Sequence, residues 1–162
     1  GDIVERARVG TVARLKPRTE IGWCELVDIP SLGLENVPAK MDSGAATSAI
    51  HASRIKPFVR EGELWVEFWF RTKAGDKPRR YEARIVDQRM VRSSNGAREE
   101  RYVIEAQLCL GKLCWDGQMT LANRRTMAFP VLVGRQALKK GFLVNSARRW
   151  MLGKGHEVTA QE

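Results

Sequence analysis

Two motifs at opposite ends of one strand-rich interval constrain this chain more than anything else in it. The first is Pro38-Ala39-Lys40-Met41-Asp42-Ser43-Gly44-Ala45-Ala46-Thr47-Ser48, an apolar approach ending in a carboxylate, a hydroxyl and a glycine. The second is Phe129-Pro130-Val131-Leu132-Val133-Gly134-Arg135-Gln136-Ala137-Leu138, an apolar run ending in Gly-Arg and a short helix-like segment. Alone, Asp-Ser-Gly is a common turn tripeptide. Followed at this distance by the second motif, it becomes specific.

The chain reads as almost all β. Ile21 to Ile29 forms a strand, Pro30-Ser31-Leu32-Gly33 turns, and Val37 to Met41 delivers Asp42. Leu64 to Phe70 alternates, with Leu64, Val66, Phe68 and Phe70 on one face and Trp65 and Trp69 on the other. These aromatics read as core rather than as a base-stacking platform. Lys73 to Pro78 turns, and Arg80 to Val86 returns. Met90 to Ile104 is a second hairpin with Ser93-Ser94-Asn95-Gly96 at its tip, Asn-Gly being the strongest short hairpin signal. Val103 to Leu121 gives two strands joined at Gly111-Lys112. Arg135 to Lys140 is a short helix stopped by Gly141, and Phe142 to Val144 is a last strand.

The two motifs resemble the two signatures of a retropepsin-type aspartic protease lobe, in which Asp-Thr/Ser-Gly carries the catalytic carboxylate. A later apolar strand ending in Gly closes a psi-shaped loop beneath it. Asp42-Ser43-Gly44-Ala45-Ala46-Thr47-Ser48-Ala49-Ile50-His51-Ala52 and Asn123 to Arg135 are similar, more narrowly, to a bacterial family labelled ATP-dependent zinc proteases. Weaker similarity runs from about Gly22 to about Leu152. Members often accompany ATP-grasp ligases that add glutamates to proteins, and one branch is assigned the trimming of a polyglutamate tail. The fold implied is an all-β, retropepsin-like closed β-barrel, a single lobe with one short C-terminal helix. The expected layout is an extension at 1–20, the domain at 21–152 and a tail at 153–162.

The chemistry implied needs two carboxylates sharing a proton, so that one takes a proton from water while the other donates to the scissile carbonyl. The pair titrates as a unit. Only Asp42 has the motif; Asp2, Asp28, Asp76, Asp87 and Asp116 lack it. The expected enzyme is therefore a homodimeric aspartic endopeptidase with one Asp42 from each chain. Asp42, Ser43 and Gly44 form its catalytic turn, with Ser43 tying the two loops together and Gly44 letting backbone pass close to substrate. The resemblance makes the hairpin around Asn95 and Gly96 a flap over the substrate. Ala45, Asn95 and Gly96 are expected substrate contacts, Arg124 and Arg135 are candidates for either substrate binding or loop bracing, and Gly134 supports the loop from below. Ala46 stands where retroviral enzymes have an Asp that pairs with the Arg of Gly-Arg, so Arg135 needs another partner. The alternative is a catalytically silent module of the same fold that binds acidic peptides or a protein partner.

Charge narrows the substrate. The 162 residues carry 28 Lys+Arg against 19 Asp+Glu, a net charge of +9, which draws polyanions. Arg79, Arg80, Arg84, Arg89, Arg92, Arg98 and Arg101, with Arg124 and Arg125, would suit a glutamate-rich peptide if they line a cleft. Otherwise they form a solvated basic surface. Polyglutamate is the first expectation by family analogy. No nucleic-acid motif is present, and no apolar run is long enough to span a membrane.

No cofactor is expected. His51 and His156 are the only histidines, Cys109 and Cys114 are not at knuckle spacing, and Gly153-Lys154-Gly155 lacks the rest of a phosphate loop. A tight turn at Leu110 to Leu113 would set Cys109 opposite Cys114, which could bridge in an oxidising compartment, leaving Cys24 over. An odd cysteine count without a framework fits a reducing one. The charged Gly1 to Arg8 stretch is no signal peptide. The expected location is the cytoplasm, or the periplasm if a leader has been removed.

Overall fold

The computed structural model describes residues 18–73, 75–92, 96–123 and 128–153. They build eleven strands: β1 (Thr19–Gly22), β2 (Cys24–Ile29), β3 (Leu34–Asp42), β4 (Ser48–His51), β5 (Ser53–Arg60), β6 (Glu63–Phe70), β7 (Arg79–Arg92), β8 (Arg98–Leu110), β9 (Leu113–Ala122), β10 (Val131–Gly134) and β11 (Phe142–Asn145). A 3-10 turn spans Pro30–Leu32, and one short helix, α1, spans Arg135–Leu138.

Nine strands run in the order β2-β3-β10-β4-β9-β8-β7-β6-β5. A further bridge between Asp28 of β2 and Cys109 of β8 closes the first six into a ring. Closure removes the free edges that an open sheet leaves to other chains. The ring is the expected β-barrel, with β7, β6 and β5 extending as a wing. β1 and β11 form a separate parallel pair.

Alternation fills the barrel. Ile104, Ala106, Leu108 and Leu110 of β8 point inward with Met119, Leu121, Val131 and Val133. A fully buried Leu, Ile or Phe contributes roughly 1.5–3 kcal/mol. On β6, Val66, Phe68 and Phe70 are buried as the alternation predicts, whereas Leu64 at the strand's start is 43% exposed. β5 ends the sheet and carries Pro57, which an edge strand tolerates because its missing N–H faces no partner.

The strand expected from Ile21 to Ile29 is two. The chain breaks at Trp23 because its halves take different partners: β1 pairs with β11 and β2 with β3. Glu25 holds the junction. It is fully buried, and its carboxylate accepts the N–H groups of Gly22 (2.6 Å), Met151 (2.8 Å) and Leu152 (3.0 Å). Trp23 N–H donates to Arg148 C=O (2.8 Å) and Trp150 N–H to Cys24 C=O (3.0 Å). The segment after β11 is thus strapped to β1 and β2.

The tight hairpin between β8 and β9 forms at Gly111-Lys112, and Cys109 and Cys114 are joined across it by a disulfide. Cys24 is buried outside that bond. The second hairpin also forms: the latter half of β7 pairs with β8 as far as Arg92 opposite Arg98. No helix among the described residues is long and apolar enough to cross a membrane.

Candidate active site

β3 delivers Asp42 to the barrel's end as the sequence predicts, and β10 runs parallel beside it with Gly134 opposite Asp42. The carboxylate is half-buried, and its Oδ1 accepts the N–H of Gly44 at 2.9 Å. Ala45 N–H donates back to Asp42 C=O (3.2 Å), closing a tight turn over Asp42 to Ala45.

The second motif locks this turn from below. The N–H of Arg135 donates to Ala45 C=O (2.6 Å) and that of Gln136 to Ala46 C=O (3.1 Å). Gly134 crosses the segment after the turn at backbone contact. A Cβ there would lie 2.6 Å from Thr47 C and 2.8 Å from Thr47 O, which no side chain tolerates. The N–H of Gly134 instead donates to Ser48 Oγ at 3.0 Å. Two chain segments 86 residues apart therefore cross through a glycine and a buried hydroxyl.

Arg135 finds its missing partner in the main chain. Its Nη1 donates to Ser43 C=O at 2.8 Å, so the guanidinium braces the Asp42 turn. Ser43 and Gly44 are exposed at the surface of the turn, and Ala45 is half-buried beside it. Gly96 ends the described part of the second hairpin, exposed and with φ of 86°. Asn95 and Arg124 lie outside the described residues, as does Arg125.

Ser48, Thr120 and Arg101 were not singled out individually by sequence reasoning as parts of this site, and they sit directly behind it. Thr120 Oγ1 donates to Ser48 C=O (3.4 Å), and Arg101 Nη1 reaches Thr120 Oγ1 (3.5 Å). The available signal is the hydroxyl of Ser48, which opens the short strand Ser48–His51 just after the Asp42 turn.

The arginine cluster divides. Arg80 and Arg84 lie on the wing, where Arg80 pairs with Glu67 and Glu82 and Arg84 with Glu63. Hydrogen bonds donated to Glu67 and Glu82 hold the Arg80 guanidinium above its usual range, and those that Glu82 accepts from Arg60 and Arg80 hold it below the usual carboxylate range. Arg89 and Arg101 stand instead at the base of the second hairpin, where the Arg89 hydrogen bond, then the Gln88 N–H, hold Asp87 low. His51, at the end of β4, is pushed down mainly by burial, with a smaller contribution from Arg71 that outweighs no more than part of the opposing Ala122 hydrogen bond. Among the described residues no three His, Cys, Asp or Glu side chains are grouped for a metal ion.

The family whose sequence profile matches residues 20–154 is described as RimB-like, "Retropepsin-like aspartic endopeptidase RimB". Curated relatives are named "Probable alpha-L-glutamate ligase". The one from Shewanella halifaxensis is 39% identical over 142 residues, covering 86% of this chain and 30% of that protein. Those from Desulfotalea psychrophila and Parasynechococcus marenigrum are 38% and 41% identical, covering 82% and 81% of this chain and 28% of each relative. The chain thus spans under a third of the relatives it matches. A crystal structure of a Legionella pneumophila protein of unknown function superposes with a TM-score of 0.68 at 24% identity, over 83% of this chain and 98% of that one, and shows the same fold. The chain belongs to the RimB-like family of retropepsin-like aspartic endopeptidases.

Proposed function

We propose that this chain is an aspartic endopeptidase that works as a homodimer and cuts peptide bonds in acidic tails, α-linked polyglutamate first among them. The observation that carries the proposal is the crossing at Gly134. It fixes Asp42 on a turn held by Gly44, Arg135 and the Ser48–Gly134 bond, with the carboxylate left half-buried at the end of the barrel.

One Asp42 supplies one carboxylate, and the reaction uses two. A twofold axis through the turn would bring a second Asp42 alongside. Close carboxylates share a proton because both cannot ionise cheaply. The ionised member removes a proton from water, the water oxygen attacks the scissile carbonyl, and the protonated member donates to the carbonyl oxygen. Ser43 then ties the paired turns together, and the hairpin ending near Gly96 covers the bound peptide. A +9 chain favours a negatively charged substrate. Relatives named for joining glutamate carry a stretch like this chain, which supports glutamyl peptides as what it opens.

The test is incubation of hexaglutamate with the parent and Asp42→Asn, read by mass spectrometry. Cleavage by the parent alone is expected. A folded, dimeric parent that leaves hexaglutamate and neutral peptides whole would overturn the reading in favour of a silent peptide-binding module.

A further inference from the structure

At the base of the second hairpin, Arg89 of β7 stands directly opposite Arg101 of β8. Opposed residues of an antiparallel pair project from the same face, and like charges there are destabilising. Arg101 compounds the cost, because its side chain is only 7% exposed. A buried guanidinium needs close, well-shaped compensation. Among the described residues Arg101 has instead a one-pronged contact to Glu99 Oε1 at 3.3 Å and a long one to Thr120 Oγ1 at 3.5 Å. Arg89 donates to Asp87 Oδ2 (2.9 Å) and Gln118 Oε1 (2.6 Å). The carboxylates of Asp87 and Glu99 are 47% and 38% exposed. Each serves its own strand's arginine.

This pair is connected to the Asp42 turn. Thr120, which Arg101 touches, donates to Ser48 C=O, and Ser48 Oγ takes the Gly134 N–H beneath Asp42. Gln118, which Arg89 touches, and Ser48 both line an open cavity of about 320 Å³, together with Thr47, Gln136, Lys139 and Asp116. Two lysines, Lys139 and Lys140, and the amides of Gln118 and Gln136 line this space beside the candidate catalytic turn, Asp116 is its one acidic lining residue, and Arg89 adjoins it through Gln118.

We propose that Arg89 and Arg101 form a carboxylate-binding subsite, which takes an acidic side chain of the peptide while another part of the peptide lies at Asp42. A substrate carboxylate between two guanidiniums would accept from both, relieve their repulsion and complete the under-compensated charge of Arg101. This rests on the peptidase reading for the enzyme's substrate class, but the subsite can be tested apart from cleavage.

In the cleavage arm, an acidic peptide is compared with twins in which one glutamate at a time becomes glutamine. The parent should prefer glutamate at one position by about tenfold or more in kcat/KM, as a charge-assisted hydrogen bond predicts. Arg89→Gln should shrink that ratio to within about threefold, the acidic peptide losing far more than its twin. In the binding arm, Asp42→Asn binds labelled hexaglutamate and hexaglutamine, followed by fluorescence anisotropy, with and without Arg89→Gln. A preference for hexaglutamate that Arg89→Gln removes supports the subsite even if no cleavage occurs, in which case only the peptidase reading fails. Cleavage without any glutamate preference, or a preference in both arms that Arg89→Gln leaves intact, overturns the subsite and spares the peptidase. Arg101→Gln should act in the same direction. If it unfolds the chain, the half-exposed Arg89 decides.

Discussion

Replacing Gly134 with alanine isolates the crossing beneath Asp42, because the backbone there is unexceptional. Gly134 has φ −91° and ψ 176°, an extended conformation open to any residue. The substitution therefore carries no dihedral penalty, and its whole effect is steric. The added methyl would sit 2.6 Å from Thr47 C, 2.8 Å from Thr47 O and 2.9 Å from Ser48 N, all of them backbone atoms that no rotamer change can move. Relief means prising β10 away from the segment 47–48. Overpacking of this kind costs about 1–3 kcal/mol. The separation also breaks the Gly134 N–H to Ser48 Oγ bond, about 1 kcal/mol more. Gly134→Ala should therefore lose about 2–4 kcal/mol in urea unfolding, with the midpoint falling and the slope unchanged. Gly33→Ala is the control: its φ is 71°, nothing lies within 4 Å of the added methyl, and only the left-handed penalty of about 1–2 kcal/mol applies. A Gly134→Ala midpoint indistinguishable from the parent would refute the close crossing.

Glu25→Gln keeps shape but turns an acceptor oxygen into a donor facing backbone N–H groups, so stability should fall by about 2 kcal/mol or more, and amides 151 and 152 should exchange faster with deuterium. His51 is held neutral by burial below its ordinary value of 6.5. The unfolded chain binds the extra proton, so His51's contribution is present above pH 6.5 and is lost as pH falls through its folded value. Urea midpoints of parent and His51→Asn should accordingly converge as pH drops from 7 towards 5. Reducing the Cys109–Cys114 disulfide, with a separation of 5 residues, should cost only about 2 kcal/mol by loop entropy, measured as unfolding with and without reductant. Arg135→Met removes the donor to Ser43 C=O and should lower kcat more than it raises KM, since it loosens the catalytic turn rather than a peptide contact.

Features encoded locally were legible in the sequence. Asp42-Ser43-Gly44 and Gly134-Arg135 carry their geometry in the residues themselves, and the alternation of Val66, Phe68 and Phe70 set the inner face of β6. Features that depend on distant backbone were not. The break at Trp23 comes from a change of partners, and the N–H donors that let Glu25 sit buried on the same face as Val27 and Ile29 come in part from residues 151 and 152, which only the fold brings back to it. The partner that Arg135 needs in place of an Asp is the Ser43 carbonyl, which no sequence pattern marks. No Gly or Pro separates β4 from β5, and Pro57 fits within β5 only because that strand lies at the sheet's edge, a position set by distant partners.

If two copies of Asp42 act together, mixing of subunits will reveal it. Parent and Asp42→Asn chains are unfolded together, refolded in varying proportions at constant total protein, and assayed on an acidic peptide. If each dyad needs both carboxylates, activity follows the square of the parent fraction, and an equal mixture retains about a quarter of the parent's rate. A linear fall, to about half, would mean that each chain works alone and would contradict the shared dyad.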